Sequence, residues 1–285
     1  INKGNLATLN NKEEVDLARE LIKIHPWADM VRFARSGGEA NAIAIRIARA
    51  NTNKQNVAIC GYHGWHDWYL AANLNNKKNL DNHLVKGIGT KGIHKKLKNT
   101  VFTFEYGNYN KLEKLVRSKN IGIIKMEVSR STYPDINFLI KIRKLCNKKK
   151  IILIYDECTS GFRETLGGLH LRFDSFLYPD IAMFGKAMGN GYAVNAVIGK
   201  KMYMNVAADT FISSTFWTEK IGTIAALSTI KEMKKIKSWK LIKNKGVYIK
   251  KNWDRIFKKY NIEAQINGID SLPSFTFKND NLLKK

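Results

Sequence analysis

Cysteine and proline are scarce in this chain, with three and four copies among 285 residues. Cys60, Cys146 and Cys158 lack the paired spacing of a metal knuckle or a disulfide framework, so we interpret the protein as reduced and cytoplasmic. No apolar run is long enough to span a bilayer, and the N-terminus lacks the apolar segment of a signal peptide. We therefore expect no membrane association and no bound metal.

Acidic residues are also few: 24 Asp and Glu stand against 49 Lys and Arg, which gives a formal net charge of +25. Such a surplus can indicate a nucleic-acid partner. Here the lysines are spread along the whole chain, and no zinc-finger, zipper or RNA-binding motif accompanies them. A generally lysine-rich composition explains the charge better, so we expect no nucleic-acid partner.

Short apolar runs alternate with stretches of helical periodicity, which predicts an α/β fold with a mostly parallel sheet between two helical layers. The predicted strands are 30–33, 56–60, 101–104, 121–126, 151–155, 181–184 and 193–198. The predicted helices are 13–24, 39–50, 110–117, 138–147 and 218–235. Residues 71–100 are polar and predict a long surface excursion. We expect a large domain over 1–235 and the start of an incomplete small domain over 236–285.

Two apolar runs each end in a charged residue that suggests chemistry. Asp156 closes the run 151–155, and Lys186 follows the run 181–184 before a glycine-rich loop. Ligands of open α/β sheets bind at the carboxyl ends of the strands. An acid and a lysine at that edge suggest a pyridoxal phosphate site, with the lysine as a Schiff base and the acid on the ring nitrogen. A solvated lysine and a salt-bridged acid are the ordinary alternatives.

Two further motifs lie at the same predicted edge. Ser36-Gly37-Gly38 separates a strand from a helix, where glycines and free N–H groups can hold a phosphate, although an ordinary N-capped turn fits the same pattern. Tyr62 and His63 stand between glycines, where an aromatic ring can lie on a planar cofactor or simply fill the core.

Taken in order, these stretches resemble the class III (fold type I) pyridoxal phosphate-dependent aminotransferases, in the branch of the glutamate-1-semialdehyde 2,1-aminomutases. The similarity extends from about residue 1 to about residue 230. The matching stretches are VRFARSGGEA at 31–40, YHG at 62–64, DECTSGFR at 156–163, LGG at 166–168 and 179–191.

The resemblance implies a role for each matching residue. Lys186 would form the internal aldimine and shuttle a proton, and Asp156 would bind the pyridine nitrogen. Tyr62 and Cys158 would pack on the two ring faces. The remaining implied residues are Gly37 and Gly38 at the phosphate, Thr215 at the phosphate of the neighbouring subunit in a homodimer, and Ser36, His63 and Glu127 close behind these residues.

The chain also departs from the family pattern. Gly38 stands where relatives usually have Thr, and Thr218 begins a stretch that replaces their Gly-Asn-Pro turn. The sequence begins at Ile1, inside the family pattern, and ends within the expected small domain, so a fragment is one interpretation. The substrate is therefore left open, and aromatic residues after Gly64 suggest a pocket for a larger molecule such as a keto-sugar.

Three functions follow from these observations. The first is an aminotransferase that cycles between pyridoxal and pyridoxamine phosphate, using a small-molecule amino donor and a carbonyl acceptor. The second is an intramolecular 2,1-aminomutase, which needs no separate donor. The third, of a different class, is a truncated non-catalytic homologue or binding protein, which the departures near Thr215 and the missing ends of the family pattern favour.

Overall fold

Seven strands form one sheet that helices cover on both faces. The computed structural model describes residues 4–6, 8–83, 85–129 and 132–278. The strands are β1 (Met30–Ala34), β2 (Asn56–Cys60), β3 (Val101–Thr103), β4 (Ile121–Glu127), β5 (Ile152–Asp156), β6 (Ile181–Phe184), β7 (Asn195–Gly199), β8 (Ala264–Asn267) and β9 (Ser274–Phe277). The helices are α1 (Lys12–Ile24), α2 (Gly37–Ala50), α3 (Asp67–Leu70), α4 (Tyr109–Ser118), α5 (Ile136–Lys149), α6 (Lys201–Met204), α7 (Lys220–Ile236) and α8 (Ser238–Lys259).

The large sheet has the strand order β1-β7-β6-β5-β4-β2-β3. Strand β7 runs antiparallel to both of its neighbours, and the β3-β2-β4-β5-β6 pairs are parallel. The predicted mostly parallel α/β architecture is confirmed. Because parallel strands end at the same edge, the residues that follow β2, β4, β5 and β6 are brought close together there.

Alternation along β5 shows how the sheet separates two cores. Ile152 and Ile154 pack in the cluster that contains α2, whereas Leu153 and Tyr155 pack in the cluster that contains α5. Successive side chains of a strand point to opposite faces, so a strand covered on both sides is apolar throughout. Asp156, which ends this strand, therefore points to the α2 face.

Side-chain caps define where the helices begin. The Oγ atom of Ser36 accepts a hydrogen bond from the Glu39 N–H at 3.2 Å, and a carboxylate oxygen of Asp135 accepts one from the Phe138 N–H at 3.1 Å. Each cap satisfies a backbone donor that the first helical turn leaves without a partner. Ser36 thus fixes the start of α2 directly after β1.

The segments outside this framework differ in part from expectation. The stretch predicted as a surface excursion includes short 3₁₀ turns at 71–74 and 95–97, and Leu80 is fully buried. The basic stretch after residue 236, in which helical material is expected, forms the 22-residue helix α8. Strands β8 and β9 form a separate antiparallel pair. The domain division at residue 235 stays a prediction. Within the described ranges, every helix is too short or too polar to cross a bilayer.

Candidate active site

Asp156 ends β5 as a buried carboxylate with several partners. Its side chain is 4% exposed, and its Oδ2 atom lies 2.9 Å from Nδ1 of the buried His63 ring. Its Oδ1 atom accepts a hydrogen bond from the Cys158 N–H at 3.2 Å. Burying a carboxylate is unfavourable unless such partners replace water. The position of Asp156 is therefore specified by the loop after β2 as well as by its own strand.

A buried lysine completes the electrostatic environment of Asp156. Lys125 Nζ, in β4, lies 3.7 Å from Asp156 Oδ2, and the Lys125 side chain is fully buried. Burial by itself opposes ionisation of Asp156, but the Lys125 ammonium and the His63 hydrogen bond outweigh it and lower the pKa of the Asp156 carboxyl. Asp156 is consequently an anion at neutral pH.

His63 is the neutral member of this group. Burial lowers the pKa of its imidazole to about 4, although the hydrogen bond to Asp156 opposes that shift. A neutral imidazole can donate from only one ring nitrogen, so near pH 7 the contact assigns the proton to Nδ1 of His63. His63 acts on Asp156 as a hydrogen-bond donor that carries no charge.

Lys186 follows β6 at the same edge of the sheet. Its Nζ atom donates a hydrogen bond to Oγ1 of Thr159 at 2.7 Å, which links it to the loop after β5. Its backbone φ of +43° lies in the left-handed region that non-glycine residues seldom adopt. Such strained positions cluster at functional sites. The Lys186 side chain is exposed in this structure, whereas lysines that form Schiff bases are often activated by burial in an apolar pocket.

Glu127 supports the turn that carries Tyr62. The Tyr62 N–H donates to Oε2 of Glu127 at 3.0 Å. Gly61, with φ +109°, has no room for a Cβ atom because the Glu127 carboxylate lies against it. The half-buried Tyr62 ring meets Tyr69 edge to face, with centroids 5.9 Å apart. The glycine and the acid together determine where this aromatic ring lies.

Gly37 and Gly38 form the first turn of α2, whose free N–H groups and positive dipole end can bind an anion. A Cβ atom on Gly38 would lie 2.5 Å from Cε1 of His66, whereas a Cβ atom on Gly37 would be 3.9 Å from its nearest neighbour. The His66 ring thus occupies the volume that a threonine side chain would need. A side chain at position 38 would therefore require the His66 ring to move.

The last two predicted residues have different surroundings. Cys158 is buried, and burial raises the pKa of its thiol well above the ordinary value, so the side chain is a neutral, apolar group. Its sulfur lies close to the backbone of Gly185, the residue before Lys186. Thr215 is exposed in the turn before α7. Within the described ranges, no hydrogen bond joins Thr215 to the other predicted site residues.

Three residues of this site did not follow from the sequence interpretation. Lys125 carried a signal, because a lysine inside the apolar run of β4 interrupts an otherwise buried strand. Thr159 lies three residues after Asp156 and contacts Lys186 through folding of the loop. His66 contacts Gly38 across the sheet edge, and no local pattern indicates such a contact.

Known proteins share the sequence pattern and the fold of this chain. The family model described as "Aminotransferase class-III" matches residues 2–284. The chain is 33% identical to the 3-aminobutyryl-CoA aminotransferase of Cloacimonas acidaminovorans, over 98% of this chain and 65% of the relative. It is 30% identical to the glutamate-1-semialdehyde 2,1-aminomutase of Sulfurisphaera tokodaii, over 96% of this chain and 66% of that relative.

Solved structures show the same fold. An omega-transaminase from Sphaerobacter thermophilus superimposes with a TM-score of 0.84 at 23% identity, over 97% of this chain and 66% of that chain. The taurine:2-oxoglutarate aminotransferase from Bifidobacterium kashiwanohense, in complex with PLP and glutamate, gives a TM-score of 0.76 at 18% identity, over 96% of this chain and 66% of its own.

The chain belongs to the class-III aminotransferase family. It spans about two thirds of the length of the curated relatives it matches, 65% in the first case. The expected family resemblance is confirmed. The individual site residues remain predictions, which the geometry around Asp156 and Lys186 supports.

Proposed function

We propose that this protein is a pyridoxal phosphate-dependent aminotransferase that moves an amino group from a small-molecule donor to a carbonyl acceptor. One observation supports this proposal above all others. An ionised, buried Asp156 and the amine of Lys186 lie at the carboxyl ends of the adjacent strands β5 and β6. A pyridine ring with an aldehyde substituent needs an acid at its nitrogen and an amine at its aldehyde.

The residues present fit the other parts of this cofactor. Gly37 and Gly38 offer backbone N–H groups to the phosphate at the start of α2. The half-buried ring of Tyr62 and the neutral thiol of Cys158 suit the two faces of a planar ring. When bound, pyridoxal phosphate supplies an electron sink and alternates with its pyridoxamine form.

Lys186 carries the chemistry in this proposal. Its Nζ atom would hold the cofactor at the aldehyde carbon and would serve as the acid and base for the proton of the substrate carbon. Asp156 would hold the ring nitrogen in its protonated form, because its lowered pKa leaves the carboxylate ionised. His63 holds that carboxylate in place through its Nδ1–H donor. Ser36 and Glu127 position the helix start and the Tyr62 turn.

The exposed position of Thr215 fits a site that two subunits share. In this proposal, the protein is a cytoplasmic homodimer, and the Thr215 hydroxyl reaches the phosphate bound by the partner subunit. Sedimentation of the purified protein measures the oligomeric state. A mixed dimer of Lys186→Ala and Thr215→Val subunits then carries one site that retains both residues, and cofactor titration counts it.

Amino-group transfer is tested by supplying an amino donor and a panel of keto acids, aldehydes and keto-sugars, and identifying the aminated product by mass spectrometry. The proposal expects donor-dependent product that Lys186→Ala abolishes. An exposed lysine in α6 provides the matched control, Lys201→Ala, which should leave the rate unchanged. Donor-dependent amination that survives in Lys186→Ala would contradict the assigned role.

A second candidate is supported by the relative from Sulfurisphaera tokodaii, whose name is glutamate-1-semialdehyde 2,1-aminomutase. An intramolecular aminomutase converts its substrate without an external donor. Product formed from an amino-carbonyl substrate alone, at the same rate with and without donor, would favour this function. Formation that requires the donor favours the aminotransferase.

A further inference from the structure

Lys125 is a buried charged residue that the proposed reaction does not use. Its side chain is 0% exposed in the middle of β4, among apolar residues of the sheet. An ammonium group is costly at such a place unless an anion compensates it. Asp156 lies within salt-bridge distance, with 3.7 Å between Lys125 Nζ and Asp156 Oδ2.

The strand register brings this pair together on the face that holds the candidate site. Lys125 pairs with Ile154, and Glu127 pairs with Asp156. Because side chains alternate along a strand, Lys125 and Asp156 point to the same face. Lys125 Nζ also lies 2.8 Å from Sδ of Met183 in β6, so the ammonium sits beneath the strand ends rather than among solvent.

Asp156 is the residue that the proposed function places on the cofactor's ring nitrogen. Its Oδ2 atom is shared by His63 and Lys125, while Oδ1 accepts one hydrogen bond from the Cys158 N–H. A carboxylate oxygen can accept more than one hydrogen bond, so a ring nitrogen could bind Oδ1 beside the Cys158 N–H. Two cations, the Lys125 ammonium and a protonated ring nitrogen, would then face one buried carboxylate.

Resting on the proposed function, we propose that Lys125 is a positioning residue that shares the Asp156 carboxylate with the ring nitrogen. Without cofactor, its ammonium is the counter-charge of Asp156. When the ring nitrogen binds the carboxylate, the Lys125 Nζ–H bond breaks, and the proton passes to the ring nitrogen or to solvent. The buried site then holds one cation for one anion. Because the Lys125–Asp156 ion pair is lost on binding, Lys125 lowers the affinity of the site for the cofactor.

The surrounding charges agree with a lysine that can lose its proton. Burial lowers the pKa of Lys125, and the nearby carboxylates of Asp156 and Glu127 only partly oppose this effect. Lys125 also contributes to the low pKa of His63. The His63 ring is therefore a reporter for the charge on Lys125, even in cofactor-free protein.

The test compares Lys125→Met and Lys125→Arg with the unaltered chain. Lys125→Met removes the competing cation, so the Kd for pyridoxal phosphate should fall about three- to tenfold. Lys125→Arg keeps a cation that cannot lose its proton, so the Kd should rise by a similar factor, about three- to tenfold. Ile123→Met, on the same strand and face, controls for packing and should leave the Kd unchanged.

The number of protons exchanged when the cofactor binds would not change if Lys125 had only a structural role. Calorimetric titration with pyridoxal phosphate in buffers of different ionisation enthalpy measures protons exchanged per site. Lys125→Met should take up about one proton more than the unaltered chain, because Lys125 no longer supplies it. Equal Kd values and equal proton counts for the unaltered chain and Lys125→Met would overturn the proposal.

The cofactor-free protein separates this inference from the proposed function. NMR titration of the His63 ring should show a higher pKa in Lys125→Met than in the unaltered chain, with Ile123→Met unchanged. An unchanged His63 titration would show that Lys125 carries no charge there and would overturn the inference. Failure of the unaltered chain to bind pyridoxal phosphate would refute the proposed function instead. If Lys125→Met does not fold, Lys125→Gln replaces it in each measurement.

Discussion

His63 Nδ1 lies 2.9 Å from Asp156 Oδ2, and both side chains are buried. His63 comes from the loop after β2, and Asp156 ends β5, two strands away in the sheet order. The His63 ring also lies parallel to Trp68 of α3, with centroids 6.5 Å apart. The carboxylate is therefore oriented by a neutral donor that aromatic packing holds in place.

Acid should destabilise the fold through two buried histidines. Burial lowers the pKa of His25 and of His63 to about 4, against 6.5 for an ordinary imidazole. Between these two pKa values, the histidines are protonated in the unfolded chain but neutral in the folded chain. The free energy of unfolding therefore falls as the pH drops from about 6.5 towards about 4. Thermal unfolding should show a Tm at least about 5 °C lower at about pH 5 than at about pH 7.

The matched variant for this experiment is His63→Gln, whose amide can still donate to Asp156. It should lose part of the acid sensitivity, because only His25 of the pair still titrates in this range. A Tm that stays level across the same pH interval in the unaltered chain would contradict the assignment of neutral buried imidazoles.

Gly38 and His66 should behave as a coupled pair. Gly38→Thr places a Cβ atom 2.5 Å from Cε1 of His66 and should destabilise the protein by about 1–3 kcal/mol. The double variant Gly38→Thr with His66→Gly removes the obstacle and should recover most of that loss. Urea unfolding measures both. Gly37→Ala serves as the control because its Cβ atom has room. If the free-energy changes of Gly38→Thr and His66→Gly, measured singly, add up to that of the double variant, the two residues are not coupled.

Asp156→Asn should weaken cofactor binding at least about tenfold, because the amide cannot hold a protonated ring nitrogen by charge. Absorbance titration with pyridoxal phosphate measures the Kd. The exposed Asp209 offers a charge-matched control, Asp209→Asn, which should bind as the unaltered chain does. Equal affinity in Asp156→Asn would remove Asp156 from the site.

Local sequence patterns were enough to predict the sheet and the strand-end positions of Asp156 and Lys186. Short apolar runs bounded by charged or turn residues predicted the buried strands of this chain, although Lys125 interrupts the run in β4. The direction of β7 was not predictable in this way, since pairing with β1 and β6 is decided by tertiary packing. The 22-residue length of helix α8 was also not predicted, because its basic sequence shows only a weak helical pattern.

Contacts between side chains of different strands and loops could not be predicted from the sequence. The Lys125–Asp156 pair joins residues 31 positions apart through the β4–β5 register, and the fit of His66 against Gly38 joins a loop to a helix start. Each depends on where a side chain points after folding. The departure at Gly38 could be recognised as a lost hydroxyl, but the ring that takes its place could be identified only in three dimensions.

The most direct test of the account is to find which lysine carries the cofactor in this lysine-rich chain. Protein incubated with pyridoxal phosphate is reduced with borohydride, digested and mapped by mass spectrometry. The account predicts one stoichiometric adduct, on Lys186, and its loss in Lys186→Ala. An adduct confined to other lysines, or no stoichiometric adduct in folded protein, would contradict it.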